Sequence, residues 1–91
     1  MQLTFEWHEP KAIENFRKHQ VTFEEAKTVF NDPYSITIFD AVHSAAESRY
    51  VDIGYSVAGR LLVVVYTERD SQIRIISSRL ATSREQRTYY G

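Results

Sequence analysis

Leu61-Leu62-Val63-Val64-Val65-Tyr66 is the longest unbroken apolar run in this chain of 91 residues. Its residue types favour a β-strand, and its apolar side chains would point to both faces of that strand. Such a run is typical of the centre of a sheet that is covered on both sides. It is far too short to cross a membrane. Residues 61–66 are therefore predicted to form the central strand of the fold.

Shorter stretches on both sides of this run alternate between apolar and polar residues, which predicts further strands. They are residues 3–7, 34–38, 51–55 and 73–77. A polar loop from Asp40 to Ser48 interrupts the series, and hairpin-length turns at residues 56–59 and 68–71 follow it. Short connections of this kind join antiparallel neighbours, so the sheet is predicted to be largely antiparallel.

Start and stop signals predict three helices. Pro10 suits the first turn of a helix that runs to about His19. Thr22-Phe23-Glu24-Glu25 is a capping box for a second helix, which Asn31-Asp32-Pro33 ends after Phe30. Thr82-Ser83-Arg84-Glu85 is another capping box, and it opens a C-terminal helix to about Tyr89.

The predicted order is β-α-α-β-β-β-β-α, in a single domain that spans residues 1–91. Strands and helices that are segregated in this way indicate an α+β fold. We expect a mostly antiparallel sheet, two N-terminal helices on one of its faces and a short C-terminal helix. This last helix is too short to cover the other face, so the doubly apolar central strand predicts a groove or a bound partner there.

Composition excludes several classes of protein. The chain is 43% apolar and 25% charged, which is typical of a globular protein. It has no cysteine, so disulfide scaffolds, thiolate zinc sites and cysteine nucleophiles are excluded. Its three histidines, His8, His19 and His43, show no metal-binding spacing, and we expect no metal site. No signal peptide or membrane span is visible, which predicts a cytoplasmic protein.

Charge is unevenly distributed along the chain. The net charge is −1, but residues 1–40 carry four Lys or Arg and seven Asp or Glu. Residues 71–91 carry four arginines, Arg74, Arg79, Arg84 and Arg87, against the single acid Glu85. Every basic residue after position 40 is arginine, whose planar fork suits phosphate or carboxylate recognition. A solvated, slightly basic face is the alternative interpretation.

The C-terminal arginines lie at the start of the third predicted helix. Free backbone N–H groups make such a terminus favourable for anions. Arg84 lies in the first turn, where its own charge opposes the helix dipole, so a bound anion would explain its presence. We therefore predict a phosphate site at this end of the chain. The alternative is that Arg84 or Arg87 pairs with Glu85 or with the C-terminal carboxylate.

A second candidate lies in the loop from His43 to Tyr50. It contains a possible base, His43, a possible acid or base, Glu47, and the cation Arg49 within eight residues. Loops of this length often carry function. The alternative is that His43 is an ordinary surface histidine.

The order and spacing of these motifs resemble those of the BrnT toxins of bacterial type II toxin–antitoxin systems. The matching stretches are Phe5-Glu6-Trp7, Asn15-Phe16-Arg17-Lys18-His19, Val21-Thr22-Phe23-Glu24-Glu25-Ala26, Val29-Phe30-Asn31-Asp32-Pro33, Glu47-Ser48-Arg49-Tyr50, Ile53-Gly54-Tyr55-Ser56, Gly59 to Arg69, Ile73 to Arg79 and Ala81-Thr82-Ser83-Arg84-Glu85. Each piece alone is a weak signal, but together they cover nearly the whole chain.

The resemblance implies a RelE-like fold and a ribonuclease that acts without metal or organic cofactor. It also implies a BrnA-type antitoxin partner, a small protein through which the complex would bind operator DNA. In such an enzyme the RNA 2′-hydroxyl attacks the adjacent phosphorus, which requires a base, an acid and cations. The place of Arg79 in the family motif makes it the first choice for stabilising the phosphate, and Arg79→Ala is expected to abolish cleavage.

The remaining site predictions follow from this mechanism. Arg84 and Arg87 would bind flanking phosphates, together with Arg74 of the same cluster. Arg49 is a second stabiliser, Glu47 and His43 are the candidate bases, and Tyr50 would stack on RNA or help to transfer a proton.

The chain departs from the family pattern at several positions. His8 replaces an acid, Gln20 replaces a glycine, and Leu80 and Ser83 replace residues that are usually basic. A left-handed backbone at Gln20 would cost about 1 kcal/mol. Leu80 and Ser83 remove positive charge beside the predicted phosphate site. They support an alternative function, that of an antitoxin-binding co-repressor with weak or lost nuclease activity.

Overall fold

The computed structural model describes residues 3–91, which form one five-stranded sheet and three α-helices. The strands are β1 Phe5–Glu6, β2 Ile36–Phe39, β3 Arg49–Tyr55, β4 Leu61–Arg69 and β5 Gln72–Leu80. The helices are α1 Glu9–His19, α2 Phe23–Lys27 and α3 Ser83–Tyr90, with a 3₁₀ segment at Thr28–Asn31. Met1 and Gln2, which belong to the amino terminus analysed for a signal peptide, lie outside the described residues. No helix within residues 3–91 has the length and apolar content needed to span a bilayer.

The sheet has the order β1-β5-β4-β3-β2, so the predicted central strand, β4, lies at its centre. All neighbours pair antiparallel except β1, which runs parallel to β5. The α+β class and the mostly antiparallel sheet are therefore confirmed. A tight turn at Asp70 and Ser71, with φ of 52° and 67°, joins β4 to β5. Two left-handed residues give such a hairpin the twist that matches its strands.

Several strand boundaries differ from the prediction. The first strand is only two residues long, because it pairs with β5 at Ile73 and Arg74 alone. The third strand begins two residues early, since Arg49 pairs with Thr67 and Tyr50 pairs with Tyr66. Arg49 and Tyr50 are therefore strand residues, and the prediction that they belong to a loop is wrong. The loop ends at Ser48.

The predicted helix starts are confirmed, but the second helix is α-helical only to Lys27 and its predicted capping box is half formed. The Thr22 hydroxyl accepts the backbone N–H of Glu25, but the Glu25 carboxylate binds Arg60 and Ser56 instead of closing the capping box. The capping box of Thr82 and Glu85 is complete. Gln20 has a left-handed backbone with φ of 59°, as predicted for this departure from glycine.

One face of the sheet carries the core. Its buried members come from the segments around α2 and from β4 and β5: Val21, Phe23, Ala26, Val29, Leu62, Val64, Tyr66, Ile73 and Ile75. Helix α1 contributes differently, because it packs against β5 and its buried residue is the polar Asn15. The expectation that both N-terminal helices lie together across one face is therefore wrong.

The opposite face is partly covered by α3. This helix is tied to Arg79 of β5 through Glu85, and Tyr89 and Tyr90 contact Tyr55 of β3. It therefore crosses the strand between them, where Val63 is only 2% exposed. The expectation that the third helix cannot cover this face is wrong at this end of the sheet. We call this whole side of the sheet the open face; α3 covers it at the end of Arg79, and it is uncovered at the end of Arg49.

Candidate functional site

A row of paired residues crosses the far end of the open face. Arg49 of β3 is opposite Thr67 of β4, and Thr67 is opposite Arg74 of β5. Residues that are opposite one another in a ladder share a face of the sheet, so the two arginines lie on either side of Thr67. Thr67 is 1% exposed, and its hydroxyl donates to the Ser48 carbonyl, which fixes the loop beside the row.

The two arginines of this row line a cleft of about 300 Å³. We call it the basic cleft, and its lining residues are His8, Lys11, Glu47, Arg49, Arg74, Ile75 and Ile76. The structure thus brings together residues that the sequence proposed from two separate segments: Glu47 and Arg49 from one, and Arg74 from the other. With Lys11, the cleft has three cationic side chains and one carboxylate, an arrangement that favours an anionic ligand.

Arg49 is the least satisfied cation of the cleft. Within residues 3–91 it forms no ion pair, and its buried Nε has no hydrogen-bond partner. Two other charged residues of the cleft are paired, since Arg74 lies 3.5 Å from Glu6 and Glu47 lies 3.4 Å from Arg69. A buried donor without an acceptor is costly, and the charge of Arg49, which no carboxylate neutralises, favours an anion in the cleft.

Arg79 occupies the other end of β5 in a different environment. Its two terminal nitrogens donate to the two carboxylate oxygens of Glu85 at 2.7 and 2.8 Å. The hydrogen bond from Arg79 and those from the backbone and side chain of Thr82 lower the pKa of Glu85 to about 2. Arg79 is therefore already bound to a carboxylate that stays ionised at neutral pH.

A β-bulge determines where the two arginines point. Arg74 and Arg79 are five residues apart, so a regular strand would place them on opposite faces. The ladder shifts register between Val65 and Tyr66, which adds one residue to β5 between the two arginines. Both therefore face the open side, roughly 15 Å apart along the strand.

The other predicted site residues lie apart from the basic cleft. His43 is exposed, and its Nδ1 lies 2.9 Å from Asp40. Tyr50 alternates to the core face, where its ring stacks on Tyr66 with centroids 5.6 Å apart. Arg84 and Arg87 are exposed on α3 and form no ion pair within residues 3–91, since Glu85, the proposed alternative partner, binds Arg79.

Sequence reasoning missed two residues of the cleft, His8 and Lys11. They come from the start of α1, which is held beside β5 by Asn15. The Asn15 amide donates to the carbonyls of Val21 and Ser78, and its carbonyl accepts the N–H of Ser78. Lys11 lies one turn before Asn15, so the two side chains share a face of α1. This spacing of four residues was the sequence signal that could have placed Lys11 beside the sheet. Within residues 3–91, no group of three or more His, Asp or Glu side chains is arranged to hold a metal.

Comparisons with known proteins agree with this architecture. Residues 7–85 match the family model described as ribonuclease toxin, BrnT, of type II toxin–antitoxin system. The structure is similar to the 1.1 Å crystal structure of the Brucella abortus ribonuclease toxin BrnT, with a TM-score of 0.70 and 20% sequence identity. This alignment covers 90% of the present chain and all of the Brucella chain. None of the curated proteins compared by sequence matches the chain.

Proposed function

The chain belongs to the family of BrnT ribonuclease toxins of type II toxin–antitoxin systems, and we propose that it is an endoribonuclease that cleaves RNA in the basic cleft. The observation that carries this assignment is the unpaired, partly buried guanidinium of Arg49 beside Arg74 and Lys11. Family membership implies an antitoxin partner, and we propose that it is of the BrnA type and mediates any contact with operator DNA. We also assign the fold to the RelE-like group and the activity to the cytoplasm.

The proposed reaction is an internal transfer at phosphorus. The RNA 2′-oxygen gives up its proton to a base and bonds to the adjacent phosphorus, while the bond to the 5′-oxygen breaks and that oxygen takes up a proton. The products are a 2′,3′-cyclic phosphate and a free 5′-hydroxyl. No metal is required, because Arg49 and Arg74 supply the positive charge that stabilises the pentacoordinate phosphorus.

Glu47 is our choice for the base. Its carboxylate lines the cleft with Arg49, whereas His43 does not line it. A base must come within hydrogen-bond reach of the proton that it removes, so the position of Glu47 favours it over His43. His8 lines the same cleft and is the candidate for protonating the leaving oxygen.

Arg79, Arg84 and Arg87 are proposed to contact flanking phosphates. Arg79 shares the open face with Arg74, but RNA has to compete with Glu85 for its guanidinium. We therefore move the centre of the reaction from Arg79 to Arg49. Tyr50 is assigned to the core rather than to RNA, because its ring stacks on Tyr66.

One observation favours a second function, a co-repressor subunit with weak or lost nuclease activity. The pairing of Arg79 with Glu85 neutralises Arg79 at the C-terminal end of the open face, and the adjacent Leu80 adds no charge. If RNA contact at this end is required for turnover, the chain would bind its antitoxin without cleaving RNA.

Induced expression of the chain alone separates the two functions. We expect growth arrest with loss of intact RNA for the wild type and for Val42→Ala, a control at an exposed loop residue. Arg49→Ala should abolish both effects while the protein stays folded. Continued growth with soluble, folded wild-type protein would support the co-repressor function. Full toxicity of Arg49→Ala would refute the assignment of the cleft.

A further inference from the structure

A second concave surface lies on the other side of α1 from the basic cleft. We call it the apolar groove; it has a volume of about 360 Å³, and its lining residues are Trp7, Glu9, Ala12, Ile13, Phe16, Thr22, Phe23 and Glu24. The two concave surfaces share no lining residue. A side chain that enters the groove therefore contacts other residues than a ligand in the cleft.

The apolar groove exists because α1 packs only the small Ala12 of its apolar stripe against the core and leaves the two large residues of that stripe exposed. The residue that α1 buries against the sheet is the polar Asn15, while Ile13 is 66% exposed and Phe16 is 46% exposed. Helices on a protein surface ordinarily turn their apolar residues towards the core. Large apolar side chains that cluster on a surface in this way mark an interaction site.

The groove also has an electrostatic preference. Its two charged lining residues, Glu9 and Glu24, are both acidic and exposed. Glu24 is partly neutralised by Lys27 at 3.2 Å, whereas Glu9 forms no ion pair within residues 3–91. Complementary charge steers association and suppresses wrong partners, so a basic partner is favoured. A second copy of the chain, placed symmetrically, would bring the same acidic rim against itself.

We propose that the apolar groove is the docking site for the antitoxin, which inserts large apolar side chains of an amphipathic helix flanked by Lys or Arg. Recognition of a helix by a groove uses anchors spaced one turn apart, and Ile13 and Phe16 offer two adjacent contacts. The identity of the partner as an antitoxin rests on the proposed function; the chemistry of the site rests on the groove itself. Because the basic cleft stays open on the other side of α1, docking anchors the antitoxin without filling the active site.

Calorimetric titration with the full-length product of the neighbouring gene, taken as the proposed antitoxin, tests the proposal. We expect Ile13→Arg to weaken binding by at least about 30-fold, the effect typical of a central anchor. Glu9→Lys should weaken binding by about threefold to tenfold at low salt and by less at high salt. The matched control is Val42→Arg, because Val42 is another exposed apolar residue, at 84%, and lies outside the groove.

The outcomes separate this proposal from the proposed function. Ile13→Arg should remain toxic when expressed alone, yet the antitoxin should no longer relieve its growth arrest. Unchanged binding of Ile13→Arg, an equal loss in Val42→Arg, or no binding by the wild type would overturn the groove assignment. A wild-type dimer that Ile13→Arg converts to a monomer, with antitoxin binding intact, would assign the groove to a second copy instead. Absence of toxicity in the wild type would contradict the nuclease alone, because calorimetry still reports on the groove.

Discussion

The two ends of the open face carry the same residue type in opposite states. At one end, Arg49 is partly buried, has no ion pair within residues 3–91 and has an unbonded Nε. At the other end, Arg79 donates two hydrogen bonds to one carboxylate. An anion that reaches Arg49 satisfies a free donor, whereas an anion that reaches Arg79 must first displace Glu85. Where a phosphate binds therefore depends on whether an arginine is already paired with a carboxylate, and not on how many arginines are nearby.

The largest expected effect is a difference between Arg49→Ala and Arg79→Ala in cleavage of a model RNA. Loss of one donor that stabilises a transition state lowers kcat by about 10²–10³-fold, and we expect this for Arg49→Ala. Arg79→Ala should lower kcat by about tenfold or less, since the charge of Arg79 is already balanced by Glu85. Single-turnover kinetics with the purified variants measure both.

Arg49→Lys and thermal unfolding serve as controls for this comparison. The lysine keeps the charge but loses the planar fork, so we expect only partial recovery of activity. Unfolding temperatures close to that of the wild type show that the substitutions act on chemistry. A larger loss for Arg79→Ala than for Arg49→Ala would reverse the comparison and return the reaction centre to the C-terminal end.

The next effect concerns the support of the cleft. Asn15→Ala leaves three buried backbone groups without their partners, two at Ser78 and one at Val21. Such losses cost about 2–4 kcal/mol of unfolding free energy. Glu14→Ala, at a half-exposed position of the same helix, should cost much less, because its ion pairs with Arg17 and Lys18 lie at the surface. Urea denaturation of the two variants measures this difference, and equal destabilisation would show that Asn15 does not hold α1 to β5.

Much of the fold follows from local sequence signals. The run from Leu61 to Tyr66 identified the central strand because no other segment is apolar on both faces. Thr82 and Glu85 identified the start of α3 because a capping box satisfies specific backbone groups. These signals lie within a few residues of the structure that they predict, so no knowledge of distant contacts is needed.

The candidate site depends on pairing between distant segments, and the sequence predicted it only in part. Arg49 and Arg74 meet because the turn at Asp70 and Ser71 sets the register of β4 against β5, and a shift by one residue would reverse the faces. The bulge that turns Arg74 and Arg79 to one side has no clear sequence signature. The ion pair between Arg79 and Glu85 also forms only when α3 folds back over the sheet.

A smaller effect is expected from releasing Arg79. Glu85→Gln removes the carboxylate, so RNA affinity should rise severalfold while unfolding free energy falls by about 1 kcal/mol, a modest value because both side chains contact water. This corresponds to a fall of about 4–8 °C in Tm. Glu24→Gln, which breaks an exposed pair with Lys27, is the matched control.

The pH dependence of this variant has a definite sign. The pKa of Glu85 is lowered from 4.5 to about 2 in the folded chain, so its ionised form stabilises the fold above pH 4.5. That contribution is lost as the pH falls from 4.5 towards 2. The Tm difference between wild type and Glu85→Gln should therefore narrow over this range. A difference that stays constant with pH would mean that Glu85 and Arg79 are not paired in solution.

The smallest expected effect concerns Asp52, a carboxylate in the reverse situation to Glu85. It is 3% exposed, and burial raises its pKa above the ordinary value of 3.8 despite hydrogen bonds from Thr37 and Tyr66. A raised pKa means that ionised Asp52 reduces stability, and the penalty grows as the pH rises from 3.8 through the pKa of the folded state.

The variant Asp52→Asn tests this, because it retains the oxygen that accepts hydrogen bonds from the hydroxyls of Thr37 and Tyr66. We expect it to match the wild type near pH 3.5 and to exceed it by less than about 1 kcal/mol at pH 7. Urea titrations at the two pH values measure the difference in unfolding free energy between the variant and the wild type. If the variant loses stability relative to the wild type between pH 3.5 and pH 7, the ionised carboxylate stabilises the fold. In that case burial would not be the reason that the carboxylate of Asp52, unlike that of Glu85, reduces the stability of the fold when it is ionised.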